Sequence, residues 1–358
     1  MSTLLEVTRA MVTLGVDAHK RTHTVVAVDV TGAELGRLTV VASTAGHLAA
    51  LQWAAQWSPR RWAVEDCRHV SRQLERELLA VGEHILRVPP RLTARERPTM
   101  RERGKSDPID ALAAARAALR EPGLPAAHLD GPSRLLRLLV GHREDLVGER
   151  TRVQNRLRWL LHELMPEGEP RPRSLDIRCV LARLEAQLRD HPGTVARLAR
   201  QQVSRCLELS IEIDGLEREI AHEVQDRAPV LLALHGCGAL SAAKLIGEVA
   251  GISRFRSRAA FARYNGTAPI PAWSGCERFR LNRGGNRQIN CVVHRIAVTQ
   301  LQRCGPAQEY VTRRRAQGDT KREALRALRR RISDEVYRRL QVDEAALQAD
   351  QNGLTNAA

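Results

Sequence analysis

Residues 103–119 read RGKSDPIDALAAARAAL and set Asp107 and Asp110 three apart, around Pro108, where an Ala/Leu-rich helix should begin. Two chemistries suit that spacing. Asp107 can act as N-cap, with Pro108 at the first helical position and Asp110 closing a capping box. Alternatively, carboxylates at i and i+3 share one helix face and can hold a divalent metal. The second reading needs other acids that could meet them. Asp17 ends an apolar run in GVDAHK, and Glu65 ends another in AVEDC. Both follow residues that should be buried, which places both acids at one sheet edge. Like charges at short range destabilise one another unless a cation is present. Asp66 could replace Glu65, but strand alternation points it to the other face.

The elements that must position these acids are legible in the pattern. VTLGVDA, THTVVAVDV and AELGRLTVVA, within residues 12–42, are short Val/Thr-rich runs divided by a turn at Thr31-Gly32, and read as three antiparallel strands. A helix capped by Ser43 or Thr44 follows, then the strand RWAVEDC, a helix ending near Gly82 and the strand HILRVPP. Three antiparallel strands followed by alternating helix and strand predict a ribonuclease-H-like α/β domain over residues 1–128.

Residues 129–228 change character. One helix is expected from Ser133 to Met165, with Leu139, Leu146, Val153 and Leu160 at a seven-residue period; a second carries Cys206, Leu209, Ile213, Leu216 and Ile220. Both read as coiled-coil seams, closed either between chains, giving a homo-oligomer, or within one chain as a helical hairpin. Residues 229–345 open with HGCGALSAAK, a G-x-G turn between short helices resembling a helix-hairpin-helix, whose backbone N–H groups can meet a phosphate. A Gly/Pro/Asn-rich loop follows from Asn265 to Asn290, then a helix from about Gln288 and one or two basic helices; residues 346–358 read as a frayed tail.

The 358-residue chain carries a net charge of +16 and a pI near 10.7, which makes a polyanion the first expected partner. The excess is local: residues 229–358 hold 22 Lys and Arg against 10 Asp and Glu, whereas residues 129–228 balance at 17 of each. Lys105, Lys244, Arg278, Arg280, Arg283, Arg287, Arg313, Arg314 and Arg315 are the candidates for phosphate contact. No run reaches the length of a membrane span and no signal-peptide pattern opens the chain, so a cytoplasmic, nucleoid-associated protein is expected, with no membrane partner. Seven scattered cysteines without a C-x-x-C pair agree.

LGVDAHKRTHTVVAVD, AVEDC and KSDPIDALAAARAAL resemble the three acidic motifs of the DEDD transposases of the insertion sequence 110 family, whose amino-terminal domain is similar to RuvC Holliday-junction resolvases. GCGALSAAKLIGEV, RFRSRAAFARYNGTAPIPAWSG and NRGGNRQI resemble that family's second region, so the likeness spans roughly residues 12–340. The resemblance implies a RuvC-like catalytic domain with Asp17, Glu65, Asp107 and Asp110 binding one or two Mg2+ ions. It also implies that Ser274, in AWSGC, is a nucleophile attacking a DNA phosphodiester to form a phosphoserine link. A serine hydroxyl needs activation, and a pair of metals can stabilise the attacking and leaving oxygens. The family's bridge RNA, which pairs with donor and target DNA, is implied as a further partner. With 3% aromatic residues and no base-reading helix or zinc finger, delegation of sequence reading to base pairing suits this chain.

Three rivals remain. A structure-specific Holliday-junction endonuclease would use the same acids with water and have no need of Ser274. An actin-like ATPase should carry a second Gly-rich phosphate loop, which is not found. A nucleic-acid-binding protein without catalysis leaves four converging acids unexplained.

Overall fold

The structure, a computed structural model, describes residues 11–355 apart from residues 67, 97–105, 128–130, 169, 172, 275, 281 and 283. The chain divides into two compact units, Met1–Leu129 and Asp130–Ala358.

The first unit is built on a mixed five-stranded sheet in the order β3-β2-β1-β4-β5. Strands β1 (Val12–Ala18), β2 (Thr22–Val28) and β3 (Glu34–Val41) form an antiparallel meander. Beside β1, β4 (Arg60–Glu65) and then β5 (Ile85–Val88) pair in parallel, with α1 (Thr44–Ala54) and α2 (Arg68–Ala80) as connections. Helices α3 (Pro90–Glu96) and α4 (Asp107–Arg120) follow. Leu14, Val16, Trp62 and Val64 pack with Ala50 and Ala54 of α1 and Leu74 and Leu78 of α2. On the opposite face Val26 and Val28 meet Ala111 and Ala115 of α4, and Ala63 meets Ala117 and Ala118. Coverage of both faces buries all seven residues of β1, which is why its sequence is nearly all apolar.

Gly15 decides how closely α4 lies on β1. A Cβ at this position would fall 2.0 Å from the Ala111 carbonyl oxygen and 2.6 Å from the Ala115 nitrogen. Only glycine lets the helix backbone settle onto the strand there. Ala111 and Ala115 recur at a spacing of four with Asp107, so the same docking brings the start of α4 toward the end of β1.

In the second unit, α5 (Pro132–Leu164) and α7 (Thr194–Gln225) are long and antiparallel, with α6 (Arg178–Arg189) between them in the chain. The antiparallel sense follows from the cross-links, Arg143 with Glu217 at one end and Arg205 with Glu149 further along. Leu146, Val153, Leu157 and Leu161 of α5 bury against Val203, Cys206, Leu209 and Ile213 of α7 and Leu181, Leu184 and Leu188 of α6. The seam expected from the heptads is therefore closed inside one chain, as a hairpin. The other ends of α5 and α7, through Leu136, Val140, Ile220 and Val224, join a second core with the C-terminal helices.

Those helices are α8 (Pro229–Leu232), α9 (Ala239–Val249), α10 (Arg258–Tyr264), α11 (Arg287–Arg303), α12 (Gly305–Ala316) and α13 (Lys321–Thr355). A tight turn links α8 to α9, with Gly236 in the left-handed region at φ 84°. The segment expected to be all loop contains a hairpin, β6 (Ile270–Ser274) and β7 (Cys276–Arg280). Its Gly, Pro and Asn content masks two runs of only five residues. Beyond it, Gly285 abuts Gly266, where a Cβ would lie 2.3 Å from the Gly266 nitrogen, so the NGT and RGGN segments pack backbone to backbone. The expected tail from residue 346 is helical through Thr355 as part of α13. No helix among the described residues is long and apolar enough to cross a membrane.

Candidate active site

Alternation along β1 turns Leu14 and Val16 toward α1 and α2, and Gly15 and Asp17 toward α4. Val16 pairs with Val64 on β4, so Asp17 and Glu65 stand one residue further on, at the carboxyl ends of adjacent parallel strands. Glu65 follows Ala63 onto the α4 face, where Thr93 of α3 donates its hydroxyl to Oε1 at 2.7 Å. Asp107 and Asp110 lie in the first turn of α4. The four acids chosen from sequence thus come together at one edge of the first unit.

Capping does not account for the helix pair. The N-cap of α4 is Ser106, whose side chain makes no capping hydrogen bond, and Asp107 is already the first helical residue. Asp107 is half exposed, while Asp110 is buried.

Asp17 is the electrostatic centre. It is 5% exposed, and its Oδ2 has no hydrogen-bond partner. Burial, chiefly, pushes its carboxyl up to about 6; Asp110, Asp107 and Glu65 push in the same direction, and His19 opposes them. All three other acids are therefore close enough to act on Asp17. One ligand atom from each of Asp17, His19 and Asp107 lies within 4.8 Å of the other two, with His19 Nε2 at 3.7 Å from Asp17 Oδ2 and 3.6 Å from Asp107 Oδ1. A buried carboxylate oxygen without a donor, amid oxygen-rich neighbours, fits a hard divalent cation. His19 is absent from the four-acid reading. Its signal was available: it follows Asp17 by two residues, directly after the strand. Gly15 was equally readable, as a glycine inside a strand.

The candidates elsewhere fare differently. Ser274 closes β6, paired with Cys276 across the Ser-Gly-Cys turn, and Arg278 and Arg280 lie on β7. The side chains of these three, together with Lys105 and Arg283, lie outside the described residues. Arg287, Arg313 and Arg315 are exposed, and Arg314 bonds Asp319 at 2.6 Å. Lys244 corrects the expectation of a phosphate contact: it is 8% exposed and ion-paired with Glu144 of α5, so its charge is consumed inside the unit. The sequence placed it on an apolar helix without showing which face the neighbouring helix would cover.

Comparison with known proteins defines the class. Residues 14–166 match a family described as Transposase, of the DEDD IS110 type, and residues 228–312 match one described as Transposase IS116/IS110/IS902 family. The chain is 28% identical to an uncharacterized 44.8 kDa protein of insertion element IS116 from Streptomyces clavuligerus, over 90% of this chain and 93% of the relative. It is 30% identical to an IS110 protein of Streptomyces coelicolor over 55% of this chain and 61% of that one. An IS900 protein of Mycobacterium paratuberculosis is 25% identical over 88% and 92%. Among solved structures, Thermus thermophilus RuvC in complex with a Holliday junction substrate aligns with 30% of this chain and 93% of its own, at 18% identity and a TM-score of 0.25. The protein is a transposase, an enzyme acting on DNA. More narrowly, it belongs to the IS110 family of DEDD transposases.

Proposed function

We propose that this transposase cleaves and exchanges DNA strands at a divalent-cation site made by Asp17, Glu65, Asp107 and Asp110, with Ser274 as nucleophile and a bridge RNA as guide. The observation that carries the metal reading is the buried, hydrogen-bond-orphaned Oδ2 of Asp17, raised against by three other acids. Sheet order 3-2-1-4-5 with the acids at its central strand ends supports a ribonuclease-H-like first domain. A bound cation, Mg2+ in this reading, would supply positive charge to the attacking and leaving oxygens of an in-line displacement.

The chain's own residues do the rest. Asp17 and Glu65 hold fixed positions because they end paired strands, and Asp107 and Asp110 because α4 is seated on Gly15. Thr93 restrains Glu65 by its hydroxyl. The Ser274 hydroxyl gives up its proton as its oxygen bonds to phosphorus, the bridging sugar oxygen leaves and takes up a proton to become a free hydroxyl, and the DNA end is retained as a phosphoserine ester. A later strand's hydroxyl reverses that ester, conserving the phosphodiester count. The α8–α9 turn and the exposed Arg287, Arg313 and Arg315 contact phosphates of DNA or of the guide.

The test is a cleavage assay with Mg2+ on the element's end-junction DNA and co-expressed flanking RNA, followed by a denaturing gel for a covalent adduct. An adduct lost in Ser274→Ala and in Asp110→Asn, with strand cutting down on the order of 10^3-fold, supports the reading. Metal-dependent cutting without adduct, indifferent to Ser274, would place the protein with water-using junction nucleases.

A further inference from the structure

We propose that His19 is a nitrogen ligand of the same cation site, through Nε2, and that it biases the site toward Mn2+ over Mg2+. The inference deepens the reading of the acids given above and rests on it.

The backbone fixes the residue where the acids meet. His19 follows β1 directly, and its N–H donates to the Thr22 carbonyl at 2.9 Å, closing the tight turn into β2. Its ring reaches back between the end of β1 and the start of α4. Separations of 3.7 Å to Asp17 Oδ2 and 3.6 Å to Asp107 Oδ1 exceed the roughly 2.7–3.2 Å of an N–H···O hydrogen bond. The imidazole is therefore not tied to either acid. Two donors each about 2.1 Å from one ion stand about 3.0 Å apart when cis and about 4.2 Å apart when trans. Both separations of His19 Nε2 from the acid oxygens fall within that span, so small side-chain adjustments suffice to bring the imidazole to an ion held by Asp17 and Asp107.

Two further observations distinguish this from a solvated cluster of acids. Asp17 is buried, with Oδ2 lacking a hydrogen-bond partner. The His19 side chain, 3.7 Å from that oxygen, is 44% exposed, so the imidazole itself is open to an ion from solvent. Mg2+ is hard, prefers oxygen and dehydrates reluctantly, whereas imidazole suits transition ions. Adding one neutral nitrogen to an otherwise carboxylate set thus raises Mn2+ affinity more than Mg2+ affinity.

The experiment uses the full chain without nucleic acid. Mn2+ and Mg2+ are titrated by calorimetry, and nitrogen hyperfine coupling to bound Mn2+ is read by pulsed electron paramagnetic resonance, for wild type, His19→Gln and Asp17→Asn. Expected are nitrogen coupling in the wild type, its loss in His19→Gln, at least about tenfold weaker Mn2+ binding there, and less than about threefold change for Mg2+. Wild-type Mn2+ binding without nitrogen coupling, or equal losses for both ions in His19→Gln, would overturn the assignment while leaving the acid site standing. Unchanged affinities in Asp17→Asn would instead overturn the acid site itself, and the His19 assignment with it.

Discussion

The first unit's acid edge and the second unit's helical hairpin handle charge in opposite ways. Along α5 and α7, Arg143 meets Glu217, Arg205 meets Glu149 and Arg150 meets both Asp176 and the Ser210 hydroxyl, so these charges of the balanced segment 129–228 are engaged in cross-links. At the acid edge, Asp17 is buried beside three other carboxylates that act on it, and His19 opposes their effect on Asp17. Paired charges at a helix surface contribute modest stability. Crowded like charges cost stability, and a fold retains them only where something outside the chain rewards the cost. The contrast separates a scaffold from a site without reference to any relative.

The strongest way to break this comparison is to put an unpaired charge into the scaffold. Val153 is 1% exposed in the α5–α7 seam, so Val153→Glu should destabilise the second unit by about 3–5 kcal/mol. Urea denaturation would show the loss. Because the seam closes within one chain, the variant should lose folded structure outright; dissociation of an oligomer into folded protomers would mean that the seam residues pair between chains instead.

That outcome bears on what sequence can reveal. The heptads of α5 and α7 predict two apolar stripes, and both exist, but periodicity is identical whether the partner stripe is on another chain or forty residues away. The first unit's succession of strands and helices was legible because short Val/Thr-rich runs divided by a Gly turn and amphipathic helical spacing have distinct signatures. So were the candidate acids Asp17 and Glu65, since apolar strands that end in carboxylates are conspicuous, whereas Asp107 and Asp110 stood out as a pair at the start of an Ala/Leu-rich helix. Less legible were matters decided by tertiary contact: that Ser106 and not Asp107 occupies the N-cap of α4, that Lys244 faces Glu144, and that AWSGC joins two strands. Local propensity cannot see a neighbour that arrives from a hundred residues away.

A buried group outside the site sharpens the comparison through pH. His23 is stacked on His47 with ring centroids 5.1 Å apart, and His47 Nδ1 lies 2.6 Å from Glu77. Burial first, and the His47 ring second, lower His23 to about 4. The unfolded chain then binds the proton more readily, so this contribution is whole above pH 6.5 and is lost as pH falls from about 6.5 to about 4. The expected loss is up to about 3 kcal/mol. Asp17 titrates over an overlapping window with the opposite sign, because its folded value of about 6 lies above 3.8 and acid relieves it. The measurement therefore compares Asp17→Asn with Asp17→Asn/His23→Gln, by urea denaturation in metal-free buffer from pH 4 to 8. Parallel profiles would refute the assignment of the acid sensitivity to His23.

Asp17→Asn itself should raise metal-free stability at pH 8 by about 1–3 kcal/mol, since it removes a buried like charge at the cost of only one amide to satisfy. Denaturation in EDTA checks the sign. A destabilised variant would mean that Asp17 is held by structural partners, like the hairpin charges, and is not a strained acid.

The smallest effect tests the comparison most directly, because it concerns a sign. Arg143 donates from Nε at 3.0 Å and Nη2 at 2.6 Å to the same Glu217 oxygen, at a partly exposed position. A double-mutant cycle with Arg143→Ala and Glu217→Ala should yield a favourable coupling of about 0.2–1 kcal/mol, weakened in high salt. The same cycle on Asp17→Asn and Asp110→Asn, without metal, should yield an unfavourable coupling: once either carboxylate is neutral, neutralising the other relieves less repulsion. Saturating divalent cation should reverse that second sign and leave the first unchanged, since Glu217 already has Arg143 as its counter-charge whereas Asp17 is surrounded by like charges. If both couplings were favourable without metal, the acids would be held together by the protein alone, and the distinction between scaffold and site would fail at the residue meant to define it.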